Sequence, residues 1–241
     1  MLRKVYVFAI ILLFASKMLY AFESGTLRGR VIDGFAKPLP FVNIVAVSDG
    51  SKSETSSDSS GQFSVSYNLG NVKLTFNKQG YIPVYIPLSL DEKIDLSVGD
   101  ITLWKIPPKG GLFAVGDGDY IEINNATYYS ESNSKERRFY VKGSPTVIKG
   151  QKLTLIDFQT DNPLVVGKTL YSVDSKGSVG SITFYPPQKY LLNEERDTYT
   201  KIADNVGMRK INLPPGRYFY CVGEITIRSK NGLGFFFEVS P

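Results

Sequence analysis

Catalysis by this chain would have to use carboxylate, lysine or tyrosine side chains, because the sequence contains no histidine. Two carboxylates at a suitable separation can hydrolyse a glycosidic bond. The second half of the chain offers five acidic residues for such a pair: Asp157, Asp161, Glu194, Glu195 and Asp197. No motif fixes two of them at the required separation, and any β-rich domain of this size carries as many acids on its surface. We therefore predict no catalytic residue, and a carboxylate-dependent hydrolase is the least favoured hypothesis.

A second group of acidic residues could bind a metal ion. Residues 116–119 have the sequence Gly-Asp-Gly-Asp, which places two carboxylates on a glycine-bent loop of the kind that binds Ca²⁺. Only Glu122 adds a nearby carboxylate, and the spacing of an EF-hand is missing. A tight hairpin turn at Asp117-Gly118 explains both glycines without a metal. We predict a turn here, with no metal site and no cofactor.

Aromatic residues are the most suggestive excess, with 15 Tyr and 15 Phe beside a single Trp. Adjacent residues on a strand face opposite sides, so each run of aromatics places rings on both faces. Burial on both faces is the favoured interpretation. The alternative is an exposed platform for sugar rings or protein, with ligand-binding residues unknown. The runs are Tyr128-Tyr129, Phe139-Tyr140, Phe184-Tyr185, Tyr218-Phe219-Tyr220 and Phe235-Phe236-Phe237.

The first 21 residues are typical of a secretory signal peptide. Arg3-Lys4 precede an apolar run at residues 5–16, and Ala21 is the predicted cleavage point. We expect no stable transmembrane segment after cleavage, and an uncleaved N-terminal anchor is the alternative. Cleavage lowers the formal net charge from +5 to about +2 by removing three basic residues. A charge so close to neutral argues against a nucleic-acid partner.

Cys221 is the only cysteine of the chain, so no internal disulfide can form. Strand alternation places Cys221 on the same side as Phe219 and Ile225. This position predicts a buried side chain that fills space in the core.

Short alternating strands separated by turns favour an all-β chain of two domains. Two prolines and two glycines at residues 107–111 end one strand and precede the next, and we interpret them as a linker. The predicted domains are residues 22–106 and 112–241. Residues 190–204 are the only stretch that could form a short helix, and a long loop is equally compatible.

In the first domain, residues 41–47 are nearly continuously apolar, which predicts a central strand buried on both sides. The polar residues 54–57 predict an edge strand, and turns are predicted at Asp33-Gly34 and at residues 58–61. Phe63 and Val65 are expected on the core side of their strand. The predicted strands are residues 26–32, 41–47, 54–57, 62–67, 72–77, 82–88 and 100–104.

Four groups of residues in this domain form one pattern. They are Gly29 and Val31; Pro38-Leu39-Pro40 before Val42, Asn43 and Ile44; Thr55, Asp58, Gly61 and Phe63; and Gly80-Tyr81. The pattern resembles the carboxypeptidase regulatory-like family, a transthyretin-like (prealbumin-like) seven-stranded β-sandwich common in exported bacterial proteins. The resemblance covers about residues 25–104, with serines at residues 48–53 where the family has a glycine-rich segment. It implies structural roles for the matched residues and no catalytic residue.

The second domain is predicted to be all-β and sandwich-like, without a recognised family. Asn231-Gly232 is predicted to form its last hairpin turn. The predicted strands are residues 112–115, 120–124, 127–132, 138–141, 152–158, 179–185, 217–227 and 234–239.

These features predict an exported, non-enzymatic protein, periplasmic or at the cell surface. The leading hypothesis is protein–protein contact within the cell envelope, and the alternative is a carbohydrate-binding module that uses exposed aromatics. The partner is accordingly an envelope protein or a glycan.

Overall fold

The structure is a computed structural model that describes residues 24–48, 50–92, 95–132, 137–158, 168–182, 197–222, 225 and 229–241. The predicted signal peptide at residues 1–21 lies outside the described residues. All regular secondary structure in the described ranges is β-strand, which confirms the predicted all-β class. Within these ranges, no helix has the length and apolar character needed to cross a membrane. The chain divides into two compact units after Ile106.

The first unit is a sandwich of two sheets. In the three-stranded sheet, β1 lies between β4, to which it is antiparallel, and β7, to which it is parallel. The four-stranded antiparallel sheet has the order β3-β2-β5-β6. This arrangement confirms the predicted seven-stranded sandwich and the polar edge strand, β3. The strands are β1 (Ser24–Asp33), β2 (Asn43–Ser48), β3 (Ser51–Ser56), β4 (Gln62–Asn68), β5 (Gly70–Asn77), β6 (Val84–Leu90) and β7 (Asp95–Leu103).

One hydrophobic core lies between these two sheets. Leu27 and Val31 on β1 face Leu74 and Phe76 on β5, and all four are fully or almost fully buried. Phe63 of one sheet packs edge-on against Phe76 of the other, with ring centroids 5.4 Å apart. Phe63 and Val65 are buried, as predicted, because alternate residues of each strand face the core.

The prediction of a strand buried on both sides at residues 41–47 is wrong. β2 is central in the hydrogen-bond order of its sheet, but its side chains alternate between core and solvent. Phe41, before the strand, is 75% exposed and Val47 is 45% exposed. In a two-layer sandwich each sheet has one inner face only, so a continuous apolar run must leave some residues outside.

Aspartate side chains fix the two predicted turns of the first unit. The Asp33 carboxylate accepts hydrogen bonds from the backbone N–H groups of Phe35 and Lys37, both at 2.9 Å. The Asp58 carboxylate accepts in the same way from Ser60 and Gln62, at 2.8 and 2.9 Å. These carboxylates thus take the place of water as hydrogen-bond acceptors for backbone N–H groups that the strands leave unpaired.

The second unit contains two sheets. The five-stranded sheet has the order β16-β17-β13-β8-β9. The seven-stranded sheet has the order β14-β18-β19-β10-β11-β15, with β12 pairing beside β19. The strands are β8 (Gly111–Val115), β9 (Tyr120–Glu122), β10 (Asn125–Ser132), β11 (Arg137–Lys142), β12 (Thr146–Lys149), β13 (Lys152–Phe158), β14 (Lys168–Val173), β15 (Ser178–Ile182), β16 (Asp197–Ala203), β17 (Val206–Asn212), β18 (Gly216–Val222) and β19 (Asn231–Ser240).

The seven-stranded sheet curls on itself. Its outermost strands, β14 and β15, are consecutive in the chain and are joined by the turn at residues 174–177. All six strands of the main path contribute side chains to one buried cluster, which therefore fills the inside of the curl. Cys221 is buried in this cluster with Phe219 and Ile225, which confirms its predicted position.

Two predictions for the second unit require correction. Asn231 and Gly232 do not form a hairpin turn, because they lie in β19 and pair with Tyr129 and Tyr128 of β10. Of residues 190–204, the segment 190–196 lies outside the described residues, and Asp197–Ala203 is strand β16 rather than a helix or loop. Strands β12, β14, β16 and β17 were not predicted from the sequence.

Replacing Gly61 by Ala is expected to destabilise the first unit more than replacing Gly50 by Ala. Both glycines have φ near +78°, so both substitutions incur the same backbone strain. A Cβ at Gly61 would lie 2.3 Å from the Val31 carbonyl oxygen, whereas a Cβ at Gly50 meets nothing within 4 Å. We expect a difference of about 2 kcal/mol in the free energy of unfolding.

Urea unfolding followed by Trp104 fluorescence measures this difference, since the only tryptophan of the chain lies in the first unit. Equal destabilisation by the two substitutions would contradict the proposed steric role of Gly61.

Candidate functional site

The aromatic runs of β18 and β19 are core on both faces. Tyr218, Tyr220, Phe235 and Phe237 are buried against the five-stranded sheet, in a cluster with Leu112, Leu155 and Ile211 among others. Phe219 and Phe236 face the opposite way, into the curl. For these two strands the structure confirms burial on both faces, because each of their faces is covered by its own packed cluster.

The aromatic pairs of β10 and β11 are arranged differently. Tyr128 and Phe139 are buried inside the curl, whereas Tyr129 and Tyr140 lie on the outer face. Tyr129 and Tyr140 are directly opposite each other in the antiparallel register. Their rings stack with centroids 5.5 Å apart and an interplanar angle of 26°. Tyr129 remains 40% exposed and Tyr140 is half-buried. Phe184-Tyr185 lie outside the described residues.

Register places further side chains around this tyrosine pair. Asn231 is opposite Tyr129, and Thr127 pairs with Lys142 on one side and with Leu233 on the other. We call this surface the tyrosine face: Thr127, Tyr129, Tyr140, Lys142, Asn231 and Leu233. An open depression of about 810 Å³ lies on it, and all of these residues except Tyr140 line the depression. Leu233 is 70% exposed.

The tyrosine face lies at one end of the outer side of the seven-stranded sheet. The rest of that side is packed into the core. Leu233, Phe235 and Phe237 alternate along the same side of β19, yet Leu233 is exposed whereas Phe235 and Phe237 are buried. Sheet packing therefore covers one end of this face and leaves the other end open. The open end carries the two stacked rings.

A buried ring beneath β10 supports the floor of the depression. Tyr128 packs edge-on against Phe139 and Phe219, at centroid distances of 6.1 and 6.0 Å. The Tyr128 ring passes over Gly232, where a Cβ would lie only 2.4 Å from it. Glycine at position 232 is thus required for close packing, which explains why the Asn-Gly pair does not mark a turn.

The side chains of the tyrosine face suit binding rather than bond cleavage. Tyrosine rings can pack against the apolar side of a ligand, and Asn231, Thr127 and Lys142 can form hydrogen bonds at its edge. The face holds no carboxylate and no nucleophile–base pair. In the described part of the chain, no three acidic or cysteine residues lie close enough together to hold a metal ion.

The titratable groups with shifted pKa values lie elsewhere. Hydrogen bonds from Arg30, the shorter at 2.6 Å, hold the pKa of the exposed Asp100 carboxyl below its usual range. Burial raises the pKa of the Tyr218 hydroxyl, which donates a 2.7 Å hydrogen bond to the Pro214 carbonyl. These groups form a surface ion pair and a core contact, so neither points to a general acid or base.

The structure does not bring the described members of the acidic group together. Asp157 is buried on β13 and pairs with Gly207, which pairs in turn with Lys201 of β16. Asp197 precedes Lys201 by four residues on β16. At roughly 3.4 Å per residue and 4.8 Å per strand, the two Cα atoms are about 17 Å apart, beyond the range of a glycosidase pair. Asp161, Glu194 and Glu195 lie outside the described residues.

The Gly-Asp-Gly-Asp segment forms the predicted hairpin. Val115 pairs with Tyr120, and the Gly116 N–H donates to the Asp119 carbonyl at 3.0 Å. The Asp119 carboxylate accepts from the Tyr120 N–H at 2.9 Å. Glu122 forms an ion pair with Lys109 at 2.9 Å. The Asp119 and Glu122 carboxylates thus each have a protein partner.

Comparison with known proteins identifies the first unit. The family model of the carboxypeptidase regulatory-like domain matches residues 26–103, about a third of the chain, which confirms the resemblance inferred from the sequence. No curated protein matches the chain in sequence.

Solved structures share a distant likeness with most of the chain. The Bacillus anthracis TIE protein is 12% identical, with a TM-score of 0.31, over 90% of this chain and 48% of that one. A streptococcal ancillary pilin is 12% identical, with a TM-score of 0.29, over 92% and 60%. A DUF3823 family protein from Bacteroides ovatus is 12% identical, with a TM-score of 0.27, over 90% and 98%. The chain thus spans about half the length of the first of these proteins.

Substitution of Gly232 by Ala is expected to destabilise the second unit by about 2 kcal/mol, because the new methyl group would overlap the Tyr128 ring. The substitution Tyr128→Leu replaces the ring by a smaller side chain and should remove the overlap. The double variant should therefore be more stable than the sum of the two single losses predicts, by at least about 1 kcal/mol. Differential scanning calorimetry of the four proteins measures this coupling, and strictly additive losses would contradict the packing role of Gly232.

Proposed function

We propose that the protein is an exported, non-enzymatic glycan-binding protein of the cell envelope that holds its ligand on the tyrosine face. The single observation that carries this proposal is the stacked pair of the exposed Tyr129 and the half-buried Tyr140 beside an open depression. Export is supported by the signal-like residues 1–21 of the sequence. The family resemblance of the first unit implies no catalytic residue, which is consistent with a binding role.

Sugar rings match the chemistry of this face. A pyranose ring has an apolar C–H side that packs on aromatic surface and hydroxyl groups around its rim. Tyr129 and Tyr140 provide the aromatic surface, while Asn231 and Thr127 lie on the neighbouring register positions as hydrogen-bond partners. Both are exposed, so a ligand can reach them without a change in the fold.

The size of the face favours a glycan over a protein partner. A stable protein–protein interface takes roughly 20–30 residues from each side. The tyrosine face has six residues spread over three strands, which together span only about 10 Å across the sheet. This surface accommodates a short stretch of sugar chain. Protein contact, the hypothesis that the sequence favoured, would need surface beyond it.

Alanine at both Tyr129 and Tyr140 is expected to weaken glycan binding strongly. The experiment is a glycan array probed with the chain without residues 1–21, followed by calorimetric titration of each bound glycan. Removing two aromatic contacts should weaken binding at least about tenfold. Tyr85→Ala is the matched control, because Tyr85 is 57% exposed but lies in the first unit.

An array without any bound glycan would contradict the proposal. Binding that survives Tyr129→Ala/Tyr140→Ala, or that is lost equally in Tyr85→Ala, would also contradict it.

A specific observation supports protein contact as a second candidate function. Phe41 is 75% exposed and has φ +55°, an unusual combination for a large residue. Its N–H donates to the Ser57 carbonyl at 2.9 Å, and the Lys78 ammonium donates to the Pro40 carbonyl at 2.8 Å. Strain that the surroundings hold in place often marks a functional position. A rigid exposed ring of this kind suits insertion into a pocket of a partner protein.

Stability measurements test whether Phe41 is held in a strained conformation. Phe41→Gly should be more stable than Phe41→Ala by about 1 kcal/mol, because glycine relieves the positive φ. At Val47, an exposed position inside β2, the order should reverse. Urea unfolding followed by Trp104 fluorescence is the measurement. The same order at both positions would remove the basis for a functional role of Phe41.

A further inference from the structure

The charged residues around the tyrosine face indicate which charge its ligand would carry. Arg138, Tyr140 and Lys142 alternate along the outer face of β11, so a cation lies on each side of the tyrosine. Arg138 is opposite Glu131 of β10, whereas Lys142 is opposite the neutral Thr127. Arg138 therefore has an acidic residue directly opposite it on β10, and Lys142 has none.

Lys142 is free to bind an anion. It is exposed and lines the depression. The ion pairs found among the described residues do not include it. No carboxylate lines the depression, whose described lining is otherwise hydroxyl, amide, aromatic and aliphatic. The side chain thus places a positive charge at the rim of the aromatic surface without a protein counter-charge there.

We infer that the ligand is an acidic glycan, whose sugar ring packs at Tyr129–Tyr140 and whose carboxylate pairs with the Lys142 ammonium. This inference rests on the proposed function and specifies the class of sugar. Lys142 lies two residues from Tyr140 on the same face, at roughly 7 Å along the strand. That distance suits a carboxylate attached directly to the packed ring. An acidic peptide would supply the charge without the ring hydroxyls that Asn231 and Thr127 can bind.

The test compares a charged and a neutral probe with the same sugar backbone. Oligogalacturonate carries one carboxylate on each ring, and its methyl ester has the same rings without charge. Calorimetric titration at low ionic strength should show the acid binding roughly fivefold more tightly than the ester, the range of one exposed ion pair. Added salt should reduce this difference by screening.

Substitutions then assign the charge preference to one side chain. Lys142→Gln should bring the affinity for the acid down to that for the ester, so that this variant binds the two probes equally. Lys152→Gln is the matched control, since Lys152 is an exposed lysine of β13 outside the depression. Tyr129→Ala/Tyr140→Ala should weaken the binding of both probes.

Equal affinity for acid and ester, or a preference that survives Lys142→Gln, would overturn the acidic-glycan inference. The proposed function would stand in that case if the ester, or a neutral glycan on the array, bound in a Tyr129/Tyr140-dependent manner. Failure of both probes together with a blank array would overturn the inference and the proposed function together.

Discussion

The second unit depends on one constraint, the short connection between the two outermost strands of its larger sheet. β14 and β15 are at opposite ends of the hydrogen-bond order, yet only residues 174–177 separate them. The Asp174 carboxylate accepts hydrogen bonds from the N–H groups of Lys176 and Ser178, both at 2.8 Å, and fixes this turn. A sheet whose ends are joined so closely has to curl, and curling creates an interior face and an outer face. Phe219 and Phe236 pack on the interior face, and the five-stranded sheet covers only part of the outer face.

The candidate site follows from that partial cover. Strands β18 and β19 lie beneath the five-stranded sheet and need aromatic residues on both faces. β10 and β11 continue beyond it, so their outer rings, Tyr129 and Tyr140, reach solvent. The same alternation that packs the core therefore produces the candidate binding surface. The core part and the solvent-facing part of this outer face differ only in whether a second sheet packs against them.

Local sequence signals predicted much of the fold. Asp58 and Gly61 mark a turn because only a few residue types tolerate its backbone and satisfy its donors. The same spacing recurs at Asp174 and Gly177, where it could have identified the turn that closes the curl. The Asn231-Gly232 pair led to a wrong prediction of a hairpin turn. Glycine is needed there to make room for the Tyr128 ring, and this contact joins strands about a hundred residues apart in the sequence.

The site was only partly predictable from sequence. The pairs Tyr128-Tyr129 and Phe139-Tyr140 stood out, but which ring would be exposed depends on the strand order β19-β10-β11, a non-local property. The alternation of polar residues offered a clue, since Thr127 and Lys142 share a face with Tyr129 and Tyr140. Asn231 and Leu233 had no local signal, because they join the face only through pairing with β10.

The most direct test of the account is an NMR spectrum of tyrosine ring signals, recorded with and without a glycan that binds on the array. The account predicts shifts concentrated at Tyr129 and Tyr140, with smaller changes at Tyr128 beneath them. Tyr85 of the first unit should not change. Unchanged Tyr129 and Tyr140 signals at saturating glycan would show that the ligand binds elsewhere and would contradict the central claim.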